Sequence, residues 1–93
     1  MNTPPKVSFL IPARNRPREL KAALASCITQ SLEAWEAVVV DDHSDSADLA
    51  ALVTTLNDSR LSYYRLKPGE GGVAEARNRA VAMAKSDRLV TLD

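Results

Sequence analysis

The sequence predicts an α/β fold built on a parallel sheet, and three observations carry that prediction. Four short apolar, β-branched runs alternate with three stretches whose apolar residues recur at helical spacing. The connections are short, and strands alternating with helices imply a parallel sheet with right-handed crossovers. The run Val38-Val39-Val40 is continuously apolar, as in a strand covered on both faces.

Val7 to Ile11 reads as the first strand, ended by Pro12, because proline donates nothing to a central ladder. Pro12 to Pro17 is a loop. Pro17 suits the first turn of a helix, where a missing N–H is harmless, and Leu20, Ala23, Leu24, Cys27 and Ile28 give that helix its apolar face to about Gln30. Trp35 follows in a short connection, packing over the start of a second strand, Glu36 to Val40. Ser44 or Asp45 is suited to cap a second helix, whose stripe is Leu49, Leu52, Val53 and Leu56. Leu61 to Leu66 is a third strand, and its polar residues and Arg65 suit an edge. Lys67 to Gly72 holds all three glycines of the chain. Val73, Ala76, Ala80, Met83 and Ala84 mark a third helix, with Gly72 and Glu75 as an approximate capping pair. Arg88 to Leu92 is the fourth strand, followed by Asp93.

The totals narrow the function. The chain has 93 residues, with 12 Lys and Arg against 12 Asp and Glu. This is one small domain, and its balanced charge does not suggest a nucleic-acid partner. Its single cysteine, Cys27, permits no internal disulfide and no Cys-based metal site, and its place on an apolar helix face reads as core. No signal peptide or spanning segment is recognisable, so the expected location is cytoplasmic. Residues 1–6, polar and Pro-rich, are expected to be disordered. A chain ending on a strand and one acid also reads as a piece of a longer protein.

In this topology the loops after the strands share one edge of the sheet, where open α/β sheets bind ligands. That edge collects Pro12 to Arg16, Asp41 to Ser44, Lys67 to Gly72, and Asp93. Asp41 and Asp42, ending the valine strand, are the leading site candidates; the plainer alternative makes them turn and cap residues. The Gly-rich loop opens a helix, so its N–H groups are suited to phosphate, although turn geometry alone also explains the glycines. Lys67, Arg14 and Arg16 add positive charge. Asp42 and Asp93 are suited to accept from a base edge and to bind a hard cation. His43, the one histidine, reads as a turn residue. No G-x-G-x-x-G follows the first strand and there is no P-loop, so two familiar nucleotide schemes are excluded.

Four motifs in order, Val7 to Arg16, Val38 to Ser44, Gly71 to Asn78 and Val90 to Asp93, resemble the N-terminal half of family 2 glycosyltransferases of the GT-A fold. The resemblance implies a three-layer sandwich with a four-stranded parallel sheet in the order 3-2-1-4. It makes 7–93 the nucleotide-sugar-binding half of the domain, truncated at its C-terminal end. It implies a sugar transfer, inverting in stereochemistry, from a nucleotide-diphosphate donor such as a UDP-sugar to a hydroxyl of a glycan or lipid acceptor. Pro12, Ala13, Arg14 and Asn15 would line the nucleobase pocket, with Arg14 where an aromatic is common. Asp42 would accept from the uracil N–H, and Asp41 would be structural or near the ribose. His43 stands where the family usually has glycine. Gly72, Arg77 and Asn78 would border the diphosphate. Arg77, read as partly core-facing, is equally suited to tie helix to strand loops. Asp93 would be the first acid of a D-x-D type motif, ligating ribose and Mn²⁺ or Mg²⁺.

The rest of that motif, the acceptor site and the general base would lie beyond Asp93, so the 93 residues alone are expected to be inactive. A longer protein would work in the cytoplasm or at the inner face of a membrane. The open edge left at the fourth strand predicts self-association. Two rivals come from other classes. A regulatory, receiver-like α/β domain would carry its acidic pair after strand one, and a nucleotidyltransferase would carry a Gly-rich basic loop there. This chain has Pro-Ala-Arg-Asn at that place.

Overall fold

A computed structural model describes residues 4–92. Seven elements follow in order: β1 (Val7–Ala13), α1 (Pro17–Thr29), β2 (Trp35–Asp41), α2 (Asp48–Leu56), β3 (Leu61–Arg65), α3 (Val73–Met83) and β4 (Leu89–Thr91). The strands form one sheet in the order β3-β2-β1-β4, and every pairing is parallel. The α/β class and the 3-2-1-4 order expected from sequence are both found.

Strand alternation builds the three layers. Val7, Ile11, Ala37 and Val39 face one way and pack with Leu20, Leu24 and Cys27 of α1 and Leu49 of α2. Leu10, Val38 and Val40 face the other way and pack on Ala76 and Ala80 of α3. All seven residues of β2 are buried, which is why its sequence does not alternate. α3 meets the sheet through alanines, so its backbone lies close to β1 and β2. β3 is an edge strand, half-buried and polar, as its sequence suggested.

Three local expectations are corrected. Pro12 lies inside β1, opposite Val40. Ser8 and Leu10 turn their backbone groups towards β4. Pro12 shares their parity but falls after the last residue paired with β4, Leu10, so its missing N–H interrupts no ladder bond. Trp35 belongs to β2 itself, 2% exposed, with Arg60 stacked 4.0 Å over its ring. Neither Ser44 nor Asp45 caps α2; its N-cap is Ala47, without a side-chain bond. Both are held instead by Asn15, some 30 positions earlier in the chain.

At the amino end of the sheet a polar clamp fastens the crossover into β4. Glu36 accepts hydrogen bonds from the Ser8 hydroxyl at 2.6 Å and from the Lys85 N–H at 2.5 Å. The Ser86 N–H donates in turn to Ser8 Oγ at 3.2 Å. The disorder expected of residues 1–6 falls partly outside the described residues; Lys6 itself donates its N–H to the Ala34 carbonyl at 2.7 Å. No described helix is long and apolar enough to cross a membrane.

Candidate functional site

The carboxyl edge of the sheet is organised by two consecutive acids that point in opposite directions. Asp41 continues the odd face of β2 and is fully buried. Its Oδ1 accepts the Ser44 N–H at 2.9 Å, and its Oδ2 accepts the Tyr63 hydroxyl at 2.5 Å, with the Arg65 guanidinium 3.5 Å away. Burial alone would raise the Asp41 pKa; the hydrogen bonds from Ser44 and Tyr63 and the Arg65 charge outweigh it, and the net shift is downward. Burial and the same carboxylate push the Tyr63 phenol up to about 12. With both oxygens engaged inside the protein, Asp41 fits the structural of its two expected roles.

Asp42 takes the even face, half-buried, and looks towards the start of α3. Its Oδ2 accepts the Gly72 N–H at 3.2 Å. Among the described residues its Oδ1 accepts no hydrogen bond. Gly72 is the N-cap of α3 at φ 96°, a conformation open to glycine alone in practice. The capping pair is displaced by one residue, since Glu75 accepts from the Gly71 N–H at 2.8 Å. That shift leaves the Gly72 N–H for Asp42.

A cavity of about 360 Å³ opens beside Asp42, a size suited to a small ligand. Ile11, Pro12, Ala13 and Arg14 form its floor and one wall. Arg16, the N-cap of α1, and Glu19, Leu20 and Ala23 within that helix line it on one side, and Val73 and Ala76 of α3 on another. The two helices lie on opposite faces of the sheet, so a cavity touching both caps the sheet edge beside β1. This is the place where the connection from β1 turns one way and β4 lies on the other side, the switch point at which open sheets bind ligands.

Of the expected site residues, Pro12, Ala13, Arg14 and Asp42 line this cavity, and Gly72 orients Asp42. Asn15 is engaged elsewhere: its side-chain amide donates to Asp45 Oδ2 at 3.1 Å and accepts the Asp45 N–H at 2.7 Å, and its own N–H donates to Ser44 Oγ. It ties the first two loops together. Arg77 is exposed, on neither the core face nor the cavity wall. The tie foreseen for it is made two residues on. Arg79 binds the Glu70 carboxylate at 2.9 Å and stacks 4.8 Å over Tyr64. The sequence reading also missed Glu19, Leu20 and Ala23 as cavity wall, and Val73, taken as core, is 72% exposed at its mouth. Asp93 lies outside the described residues. Among the described residues no three His, Cys, Asp or Glu side chains converge to hold a cation; these residues do not by themselves fit a metal.

The sequence model described as Glycosyl transferase family 2 matches residues 8–93. Among curated proteins, the chain is 33% identical over 94 residues to the putative colanic acid biosynthesis glycosyl transferase WcaA of Escherichia coli, covering all of this chain and 33% of that one. It is 35% identical to the succinoglycan biosynthesis protein ExoU of Rhizobium meliloti, over 97% of this chain and 26% of the relative. The fold also matches a crystal structure of Staphylococcus aureus TarS, residues 1–349, with a TM-score of 0.83 and 28% identity over 95% of this chain and 27% of that one. The chain thus spans about a third or less of the length of these relatives.

Proposed function

The chain belongs to glycosyl transferase family 2, and from that premise we propose that it forms the donor-nucleotide half of an enzyme that moves a sugar from a nucleoside diphosphate to an acceptor hydroxyl. One observation carries the reading: Asp42 stands at the mouth of the cavity with one carboxylate oxygen fixed by Gly72 and the other turned to no protein donor among the described residues. A single oriented acceptor suits a base that offers one ring N–H between two carbonyls, as uracil does. The donor is therefore a UDP-sugar. The uracil ring lies against Pro12 and Ala13, and the Arg14 guanidinium supplies the flat cationic face.

The diphosphate then runs towards the start of α3. Reaction at the sugar needs a base to take the acceptor proton and positive charge to offset the leaving diphosphate. We place the base and the acceptor site in the part of the relatives' length that this chain does not span. Mn²⁺ or Mg²⁺ enters the proposal through Asp93 with further ligands from that same part, and it would offset charge on the leaving group. For the 93 residues alone the proposal is nucleotide binding without transfer; sugar transfer by the purified chain would contradict it.

The test is a calorimetric titration with UDP, ADP and GDP, with and without Mn²⁺, on the chain and on Asp42→Ala. UDP is expected to bind in preference to the purines. Loss of the charged acceptor is expected to weaken it roughly 10- to 100-fold. Binding unchanged in Asp42→Ala, or no selectivity for UDP, overturns the assignment.

A further inference from the structure

We propose that His43 is a positioning residue for the nucleotide site, acting by latching the loop before α3 in the shape that orients Asp42; the inference rests on the nucleotide reading of that site. His43 adopts φ 59°, a left-handed conformation that few residues other than glycine occupy. From that backbone its ring reaches across to the Gly-rich loop. Nε2 lies 2.5 Å from the Glu70 carbonyl oxygen, and since a carbonyl only accepts, the proton sits on Nε2. The ring also packs beside Gly71: a Cβ at that residue would lie 3.7 Å from His43 Cδ2.

Glu70 is thereby held at four points, one of them its own N–H, which donates to the Lys67 carbonyl at 2.9 Å. Its carbonyl takes the histidine, while its carboxylate takes the Lys67 N–H at 2.7 Å and Arg79 at 2.9 Å. Only Gly71 separates Glu70 from Gly72, whose N–H fixes Asp42 at 3.2 Å. The Glu70 carbonyl shares one rigid peptide plane with the Gly71 N–H, which Glu75 holds, so only the two dihedrals of Gly71 separate that fixed plane from the Gly72 N–H. Asp42 and His43, neighbours at the end of β2, thus grip one loop at points two residues apart. Without the histidine the loop keeps its bonds to Lys67 and to the α3 side chains Glu75 and Arg79 but loses its tie at Glu70 to the end of β2, and the N–H that holds the carboxylate is less firmly placed.

Three variants separate this role from backbone strain. His43→Asn tolerates the left-handed backbone but is too short to reach Glu70. His43→Gly relieves the backbone and removes the donor. His43→Gln offers an N–H at about the reach of Nε2. The first readout is amide hydrogen exchange at Gly72 relative to Leu24, an amide in the middle of α1 that reports global opening. Relative exchange at Gly72 is expected to rise roughly two- to tenfold in the Asn and Gly variants, the factor of one lost hydrogen bond, and to return towards wild type in His43→Gln. The second readout is UDP affinity, expected to fall by a similar roughly two- to tenfold factor and to be rescued in the same order. Unchanged relative exchange at Gly72 in both the Asn and Gly variants overturns the latch. Altered exchange with UDP affinity unmoved overturns its role in the site. A wild-type chain indifferent to UDP overturns the nucleotide reading, and the positioning role falls with it, while the exchange series still reports whether the latch exists.

Discussion

Asp41 and Asp42 are adjacent and chemically identical, yet one is sealed inside and one faces the cavity. The cause is the two-residue period of a strand, which turns successive side chains to opposite faces. Asp41 falls among Tyr63, Arg65 and the Ser44 N–H; removing it leaves buried donors unpaired. Asp41→Ala is expected to lose roughly 2–3 kcal/mol of stability, measurable by urea unfolding. Its carboxyl lies below the ordinary value of 3.8, so the unfolded chain binds that proton more readily than the folded one. The stabilisation is present above the unfolded value and is lost as pH falls through the folded one. Between neutral pH and about 3, Asp41→Asn should therefore show a shallower fall in stability than wild type, read from urea midpoints at successive pH values. The acidic pair was plain in the sequence, and strand parity implied the opposite facing. What parity alone could not supply was which face held a phenol and a guanidinium and which held a cavity, because Tyr63 and Arg65 lie more than 20 positions away.

Elements whose neighbours are set by their own periodicity were legible, and elements whose residues answer to distant loops were not. The stripes of α1 and α2 were read correctly because each helix lies flat on the sheet. α3 differs: its first turn overhangs the sheet edge, so Val73 borders the cavity instead of the core, and Arg79 gains the tie to Glu70 and Tyr64 that Arg77 lacks. Ser44 and Asp45 had the chemistry of helix caps, but Asn15, at φ 54°, offered them partners across the edge. Close packing through alanine gives α3 little tolerance of bulk. Ala80→Leu is expected to cost about 1–3 kcal/mol through overpacking, visible as a lowered denaturant midpoint. The Glu36 clamp governs the other end. Glu36→Ala frees Ser8 and the Lys85 N–H, and amide exchange in β4 should rise well above that in β2.

At the scale of the whole molecule, the parallel strands bring the loops after β1, β2 and β3 to one edge, and the reversal of winding between β1 and β4 opens a crevice there. It also places β4 at an edge, where Leu89 and Val90 are 42% and 36% exposed. Exposed strand edges pair with other chains, so sedimentation of the purified chain should show concentration-dependent association, weakened by Val90→Lys; a monomer at every concentration would contradict this. Cys27 adds a different consequence. The thiol is 2% exposed on the sheet-facing side of α1, and burial pushes its pKa up. Since the thiolate is the reactive form, an alkylating reagent meets this sulfur only when the core opens. One cysteine thus makes the molecule its own clock, each labelling event timing an opening. A nucleotide that binds only the closed form slows that clock by the factor by which it is saturating, about a hundredfold at a hundred times its dissociation constant. Mass spectrometry of the labelled chain would then read nucleotide affinity from a residue that never touches the nucleotide.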